Sequence, residues 1–312
     1  MKAIDVHTHG FGGYDTRTTD PEHILAMARL QASQGVSDIV PTIYAGTIRV
    51  MRENMAVVRK AMEAQRSSAA GQPAHAATAT PPLGPGARHQ TDDRASATIL
   101  GVHLEGPFLN PSRCGALNAM TFLEPSETGF RELIEGFEDI VRIVTIAPEL
   151  PRAAQLIRTI AGKGIIASLG HSEASYEEAE TAWHAGARGV THLFNAMSGF
   201  HHRDPGLAGF GLLNPDMFVE VIADPFHLHE ATLRMIFSLK RANRILLVSD
   251  SVRETKATPE ASEIADPHGT LLGGSVGILE AVEVLIGQGF DPAAVRLAIS
   301  ANPAQYLHLG VT

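Results

Sequence analysis

Short aliphatic runs alternate with amphipathic stretches along almost the whole chain, and that rhythm restricts the fold more than any other feature. The β-branched or aliphatic runs fall at 3–7, 38–43, 98–104, 140–146, 164–169, 188–193, 217–223 and 244–249. Helical periodicity falls near 21–34, 48–66, 127–136, 151–162, 175–185, 205–213, 229–242 and 275–288, with a further helix over 292–307. Such alternation is the pattern of parallel βαβ units. Eight pairs in 312 residues predict an α/β chain closed as a (β/α)8 TIM barrel. A doubly wound open sheet competes, but no Gly-x-Gly-x-x-Gly follows the first run. Gly35, Gly164, Gly186 and Gly289 stand where helices should stop. We read 1–312 as a single barrel, interrupted at 67–97. That stretch is rich in Ala, Pro, Gly, Ser and Thr, with Leu83 its one large apolar residue, so it predicts a flexible insertion with too little surface to bury.

In a barrel of this kind chemistry gathers at the C-terminal ends of the strands, and here those ends carry ligand-type residues. Ile4-Asp5-Val6-His7-Thr8-His9-Gly10 puts two histidines two residues apart, on one face of a strand. Glu105 follows the third run, His171 the fifth, His192 the sixth and Asp250 the eighth. Singly, each has an ordinary structural alternative, such as a helix cap, an exposed charge or a core histidine. Together they predict a metal site. A nitrogen and oxygen donor set without thiolate suits zinc first, with iron, manganese or cobalt as alternatives. Such an ion can acidify water and polarise a carbonyl, and an adjacent carboxylate that is not a ligand can act as general base and then general acid. Asp250, alone at its strand end, is the candidate. The reaction class is metal-assisted hydrolysis of an amide or ester.

Composition removes other classes. The net charge of −9, without a Lys/Arg-rich patch, argues against nucleic acid as partner. No run approaches the length of a membrane span, and the start lacks an apolar leader. Cys114 is the single cysteine, which excludes an internal disulfide and fits a reducing compartment. These features predict a cytoplasmic protein.

The stretches GVHLEGPFLN (Gly101 to Asn110), Gly170-His171-Ser172 and THLFNAMSGFHHRDPG (Thr191 to Gly206) resemble the N-acetylglucosamine-6-phosphate deacetylases of the amidohydrolase superfamily. Val248-Ser249-Asp250 and Gly269-Thr270-Leu271 look like the family's later motifs, and the likeness covers nearly the whole chain. The resemblance implies deacetylation of an N-acetylated amino-sugar phosphate, with Glu105, His171 and His192 binding the principal metal. His7 and His9, bridged by Glu105, would hold a second ion, so one or two ions are implied. Asp250 matches the catalytic aspartate. Ala116, Asn195, Ala196, Arg203, His227, Leu271, Leu272 and Gly273 match the substrate-binding positions, with Arg203 suited to phosphate. The family is usually dimeric, so a homodimer is implied, in which Arg203 could serve the neighbour's site.

The chain departs from the family pattern in four places, one being a segment from Ser251 to His268 that looks shorter than the family's. A His or Gln usually follows the residue matching Ala116, where it can hydrogen-bond the scissile carbonyl. Leu117 cannot donate, and loss of one such donor commonly costs about 10²–10³ in rate; Asn118 is the nearest substitute. The family's Asp-Gly-x-His reads Asp224-Pro225-Phe226-His227, where proline removes a backbone donor. The small β-sandwich normally built from segments flanking the barrel is not expected here. Two alternatives stay open: a ring-opening amidohydrolase, against which the fourth run offers no lysine for carboxylation, and a weakly active or non-catalytic metal-binding barrel.

Overall fold

The computed structural model describes residues 2–70, 96–256 and 262–309. Eight strands pair in parallel in chain order: β1 Ile4–Thr8, β2 Asp38–Ile43, β3 Val102–Glu105, β4 Val141–Ile146, β5 Ile166–Leu169, β6 Gly189–Val190, β7 Phe218–Ile222 and β8 Ile245–Val248. The last strand returns to the first just beyond its own end. His9 N donates to Ser251 O (2.8 Å) and Asp250 N donates to His7 O (2.9 Å). A parallel bridge joins Thr8 to Ser251. The sheet is thus a nearly closed (β/α)8 barrel, as the alternation predicts.

Helices cover the outside: α1 Pro21–Ser33, α2 Ile48–Ala70, α3 Glu127–Ile134, α4 Ala153–Gly162, α5 Tyr176–Ala185, α6 Gly206–Leu213, α7 Glu230–Leu239 and α8 Ile278–Gly287. The four stop glycines all take the left-handed conformation expected of them, with φ between 74° and 120°. The α5 start is a complete capping box, Ser175 and Glu178 each accepting from the other's backbone N–H.

Strand alternation sorts the core into two layers. Ile39, Val102, Leu104, Val144, Ile146, Ala167, Leu169, Val219, Val221 and Leu247 face outward into the apolar layer shared with the helices. Ile4, Val40, Ile143, Ile166, Phe218, Leu246 and Val248 fill the interior, closed below by Tyr306 and Leu307.

Several boundaries differ from the sequence reading for definable reasons. The 98–104 run is two pieces: Thr98–Ile99 pairs with β2, and the chain bends at Gly101 before β3. A side chain at Gly101 would lie 2.3 Å from Ile140 O, and its φ is 147°. The 188–193 run keeps only two strand residues, because His192 turns out of line at φ 30°. The 292–307 helix is two, α9 Pro292–Ala298 and α10 Ala301–Tyr306, broken at Ile299 and Ser300. A short hairpin, Gly10–Phe11 with Tyr14–Asp15, follows β1 unannounced. Of the expected insertion, residues 67–70 continue α2, Ser96 and Ala97 precede the Thr98–Ile99 pair, and 71–95 lie outside the described residues.

Candidate active site

The strand ends bring the five ligand-type residues and Asp250 together. Glu105 Oε1, His171 Nε2 and His192 Nε2 form a triangle with every side 3.1 Å. The edge of a tetrahedron with metal–donor arms of about 2.0–2.1 Å is about 3.3–3.4 Å, so this donor set fits a divalent ion. The other carboxylate oxygen meets His9: Glu105 Oε2 is 3.1 Å from His9 Nε2, which is 3.3 Å from His7 Nε2, while His7 Nε2 lies 3.4 Å from Oε1. Glu105 therefore touches both groups, with Oε1 shared between the triangle and His7. Asp250 Oδ1 lies 3.2 Å from His7 Nε2 and 3.6 Å from His9 Nε2.

Backbone geometry explains how side chains from different strands converge. A register shift between Asp5 and Thr8 lets His7 face the interior although Ile4 and Val6 already do. Ser168 and Thr191 face inward, where their hydroxyls bond each other (2.7 Å). Continued alternation after Thr191 would send His192 toward the helix layer, and after Ser168 it would do the same to His171. Instead both lie at positive φ, 30° and 49°, and turn back into the mouth. Asp250 is similarly left-handed at φ 46°. Such conformations cost about 1–3 kcal/mol each and cluster at functional sites.

Burial and charge oppose each other here. Burial would raise the Glu105 carboxyl, but the charge of His9 and hydrogen bonds from His171, His192 and His7 hold it well below the usual carboxylate range. Burial would lower His7, but the carboxylates of Asp250, Glu220 and Glu105 hold it well above the ordinary histidine value. A cluster that attracts this much positive charge is also suited to a cation.

The surrounding loops supply the remaining candidates. His171 Nδ1 donates to Arg113 O (2.9 Å), leaving Nε2 directed at Glu105. An added Cβ on Gly115 would contact the Ala196 Cβ and His171 Cε1, so the loop carrying Ala116 meets those carrying Ala196 and His171. Asn195 N donates to His192 O. His227 Nδ1 donates to both oxygens of Asp224 (3.0 Å each), and Asp224 also accepts from Ser275 N (2.8 Å). Gly274 N donates to Asp250 O (2.7 Å). These bonds tie His227 and the turn at Leu271, Leu272 and Gly273 to Asp250. Pro225 does not prevent this turn, since Phe226 N and His227 N both donate to Asp224 Oδ1. Arg203 is exposed, in a loop pinned by the His201–Asp204 bridge, and stands outside the hydrogen-bonded set. Leu117 is half-buried, and the Asn118 side chain is engaged in accepting from Met120 N.

Sequence reasoning passed over four contributors. Glu220 accepts from His7 Nδ1 (2.9 Å), and its position within the aliphatic run Phe218–Ile222 was a readable signal. Tyr44 stacks on His9 at 3.8 Å between ring centres. His103, held neutral by burial and the nearby His7, is bonded to Thr145 Oγ1 (2.7 Å). Glu149 accepts from Asn110, Ser172 and Glu173 N and so braces the His171 loop. Tyr44 and Glu149 are of residue types common in loops, and only the fold brings them here.

The mouth of the barrel gathers His/Glu groups that could hold a metal ion, and the sequence profile of the amidohydrolase family matches residues 2–310: the chain belongs to the amidohydrolase family. Among curated relatives, N-acetylglucosamine-6-phosphate deacetylase of Vibrio furnissii is 33% identical over 252 residues, 81% of this chain and 56% of that protein. N-acetylgalactosamine-6-phosphate deacetylase of Escherichia coli O157:H7 is 30% identical over 318 residues, 97% of this chain and 76% of that protein. The chain thus spans little more than half the length of the first relative. Of solved structures, N-acetylglucosamine-6-phosphate deacetylase from Thermotoga maritima superposes with a TM-score of 0.80 at 25% identity, covering 98% of this chain and 78% of that one. A variant of the Mycobacterium smegmatis deacetylase in complex with N-acetyl-D-glucosamine-6-phosphate gives 0.80 at 25% identity, covering 99% and 77%.

Proposed function

We propose that the protein hydrolyses N-acetylglucosamine 6-phosphate to glucosamine 6-phosphate and acetate in a metal-dependent reaction. The observation that carries this reading is the position of Asp250, whose Oδ1 borders the donor cluster 3.2 Å from His7 Nε2 while the Glu105–His171–His192 triangle is complete without it. The names of the relatives point to the same chemistry.

Glu105, His171 and His192 would hold the principal ion, and His7 and His9 with Glu105 a second; zinc suits these donors best. A bound divalent ion polarises the scissile carbonyl and acidifies water. Asp250 takes the proton of the attacking water as the C–O bond forms, then delivers it to the amide nitrogen as the C–N bond breaks. His227, fixed through Nδ1 by Asp224, presents Nε2 to the substrate. The loops at Ala116, Asn195, Ala196 and Leu271 to Gly273 enclose the sugar, and Arg203 meets the phosphate, in a homodimer from the neighbouring protomer. The ring-opening alternative lacks its residue: β4 points Thr145 inward, bonded to His103 and Thr191, where a carboxylated lysine would be needed.

Reconstitution tests the reading. Chelated protein should release no acetate from N-acetylglucosamine 6-phosphate, and added zinc, iron, manganese or cobalt should restore release. Absence of release with all four metals refutes it. Arg203→Ala should impair the phosphorylated sugar selectively; equal loss on unphosphorylated N-acetylglucosamine would refute the phosphate role.

A further inference from the structure

Glu220 is fully buried at the centre of β7, and packing does not call for a carboxylate there. Its inward-facing neighbours on the same strand, Phe218 and Ile222, are apolar parts of the barrel interior. Oε2 accepts from His7 Nδ1–H (2.9 Å) and from the backbone N–H of His192 (3.3 Å). Oε1 has no hydrogen-bond partner among the described residues. A buried carboxylate with one oxygen unpaired costs stability, so what Glu220 does for its partner is the question.

The partner is His7. An imidazole carries its proton on either nitrogen, and the hydrogen bond made by one nitrogen sets what the other can do. With Nδ1–H given to Glu220, the neutral imidazole has its lone pair on Nε2, toward His9 and Glu105. Without that acceptor, His7 can protonate at Nε2 and aim an N–H into the donor cluster. The other nearby imidazole cannot take over the task, since His103 is tied at both nitrogens, to Val6 O and Thr145 Oγ1.

We propose that Glu220 is a positioning residue that holds His7 in its metal-accepting tautomer and so determines whether the His7–His9–Glu105 position takes a divalent ion. The proposal rests on reading His7 and His9 as ligands. Loss of a carboxylate behind a ligating histidine typically weakens metal binding about 10–100-fold.

The test is zinc binding by the full chain, measured by equilibrium dialysis and metal content per polypeptide. Wild type should hold two ions. Glu220→Leu should retain one at unchanged affinity and weaken the other about 10–100-fold. The chelated Glu220→Leu protein should melt below wild type, because His7 Nδ1–H and the His192 N–H lose their acceptor, and it should also gain less on adding zinc. A merely structural Glu220 would lower the chelated melting point in the same way but leave zinc binding and the zinc-induced gain intact. If Glu220→Leu does not fold, Glu220→Gln decides, keeping the shape but not the charge. It should still bind the second ion several-fold more weakly. Two ions at wild-type affinity in the folded variant overturn the proposal. So does a wild type holding one ion, a result that leaves the deacetylation reading standing, since acetate release tests that separately.

Discussion

His227 and Asp224 form a buried pair whose charge can be read by titration. Burial opposes the Asp224 charge, but the hydrogen bond and charge of His227, with backbone N–H groups of Ser275 and His227, bring its carboxyl down to about 2. Burial likewise opposes a charged His227, and Asp224 overcomes it, lifting the imidazole above 6.5. The Asp224 contribution to stability is therefore complete above the usual 3.8 and lost as pH falls through about 2. That of His227 is complete below 6.5 and lost as pH rises past its raised value. Asp224→Asn should move the His227 midpoint downward in a histidine NMR titration; an unchanged midpoint would contradict the pairing. At this scale sequence grouped His7, His9, Glu105, His171, His192 and Asp250, and the structure brings them into one cluster, because strand ends in a barrel share one face. It missed Glu220 and Tyr44, which reach the cluster through His7 and His9.

Among the elements, β6 and α10 depend on each other. Gly189 leaves room for the Tyr306 hydroxyl, which would lie 2.0 Å from an added Cβ. The Tyr306 ring also packs on Phe218 at 5.0 Å between centres, closing the bottom of the barrel. Gly189→Ala should cost about 1–3 kcal/mol by overpacking, and Tyr306→Phe in the same chain should recover part of it by removing the clashing oxygen. Chemical denaturation of the two single variants and the double variant measures this, and additive losses would contradict the contact. Strand and helix existence was legible from the periodicity of Ile, Val and Leu. Their ends were less so. Nothing local marks His192 as left-handed, and Gly101 reads as an ordinary strand residue until Ile140 O is packed against it.

For the molecule as a whole, the site concentrates carboxylate and imidazole donors where the fold would gain most from a cation. An ion at about a hundred times its dissociation constant adds about 2.7 kcal/mol to the folded state. Chelation should lower the melting temperature, and zinc should restore it. A melting point indifferent to both would argue against a bound ion. The barrel was legible in advance because alternating runs leave few topologies open. The arrangement within its mouth was less so, since the left-handed turns at His171, His192 and Asp250 have no local sequence signal. The most direct measurement of the central claim is acetate release from N-acetylglucosamine 6-phosphate by metal-loaded wild type and Asp250→Asn side by side. Wild type should turn over, and the variant should lose about 10²–10⁴-fold. Equal rates would contradict it.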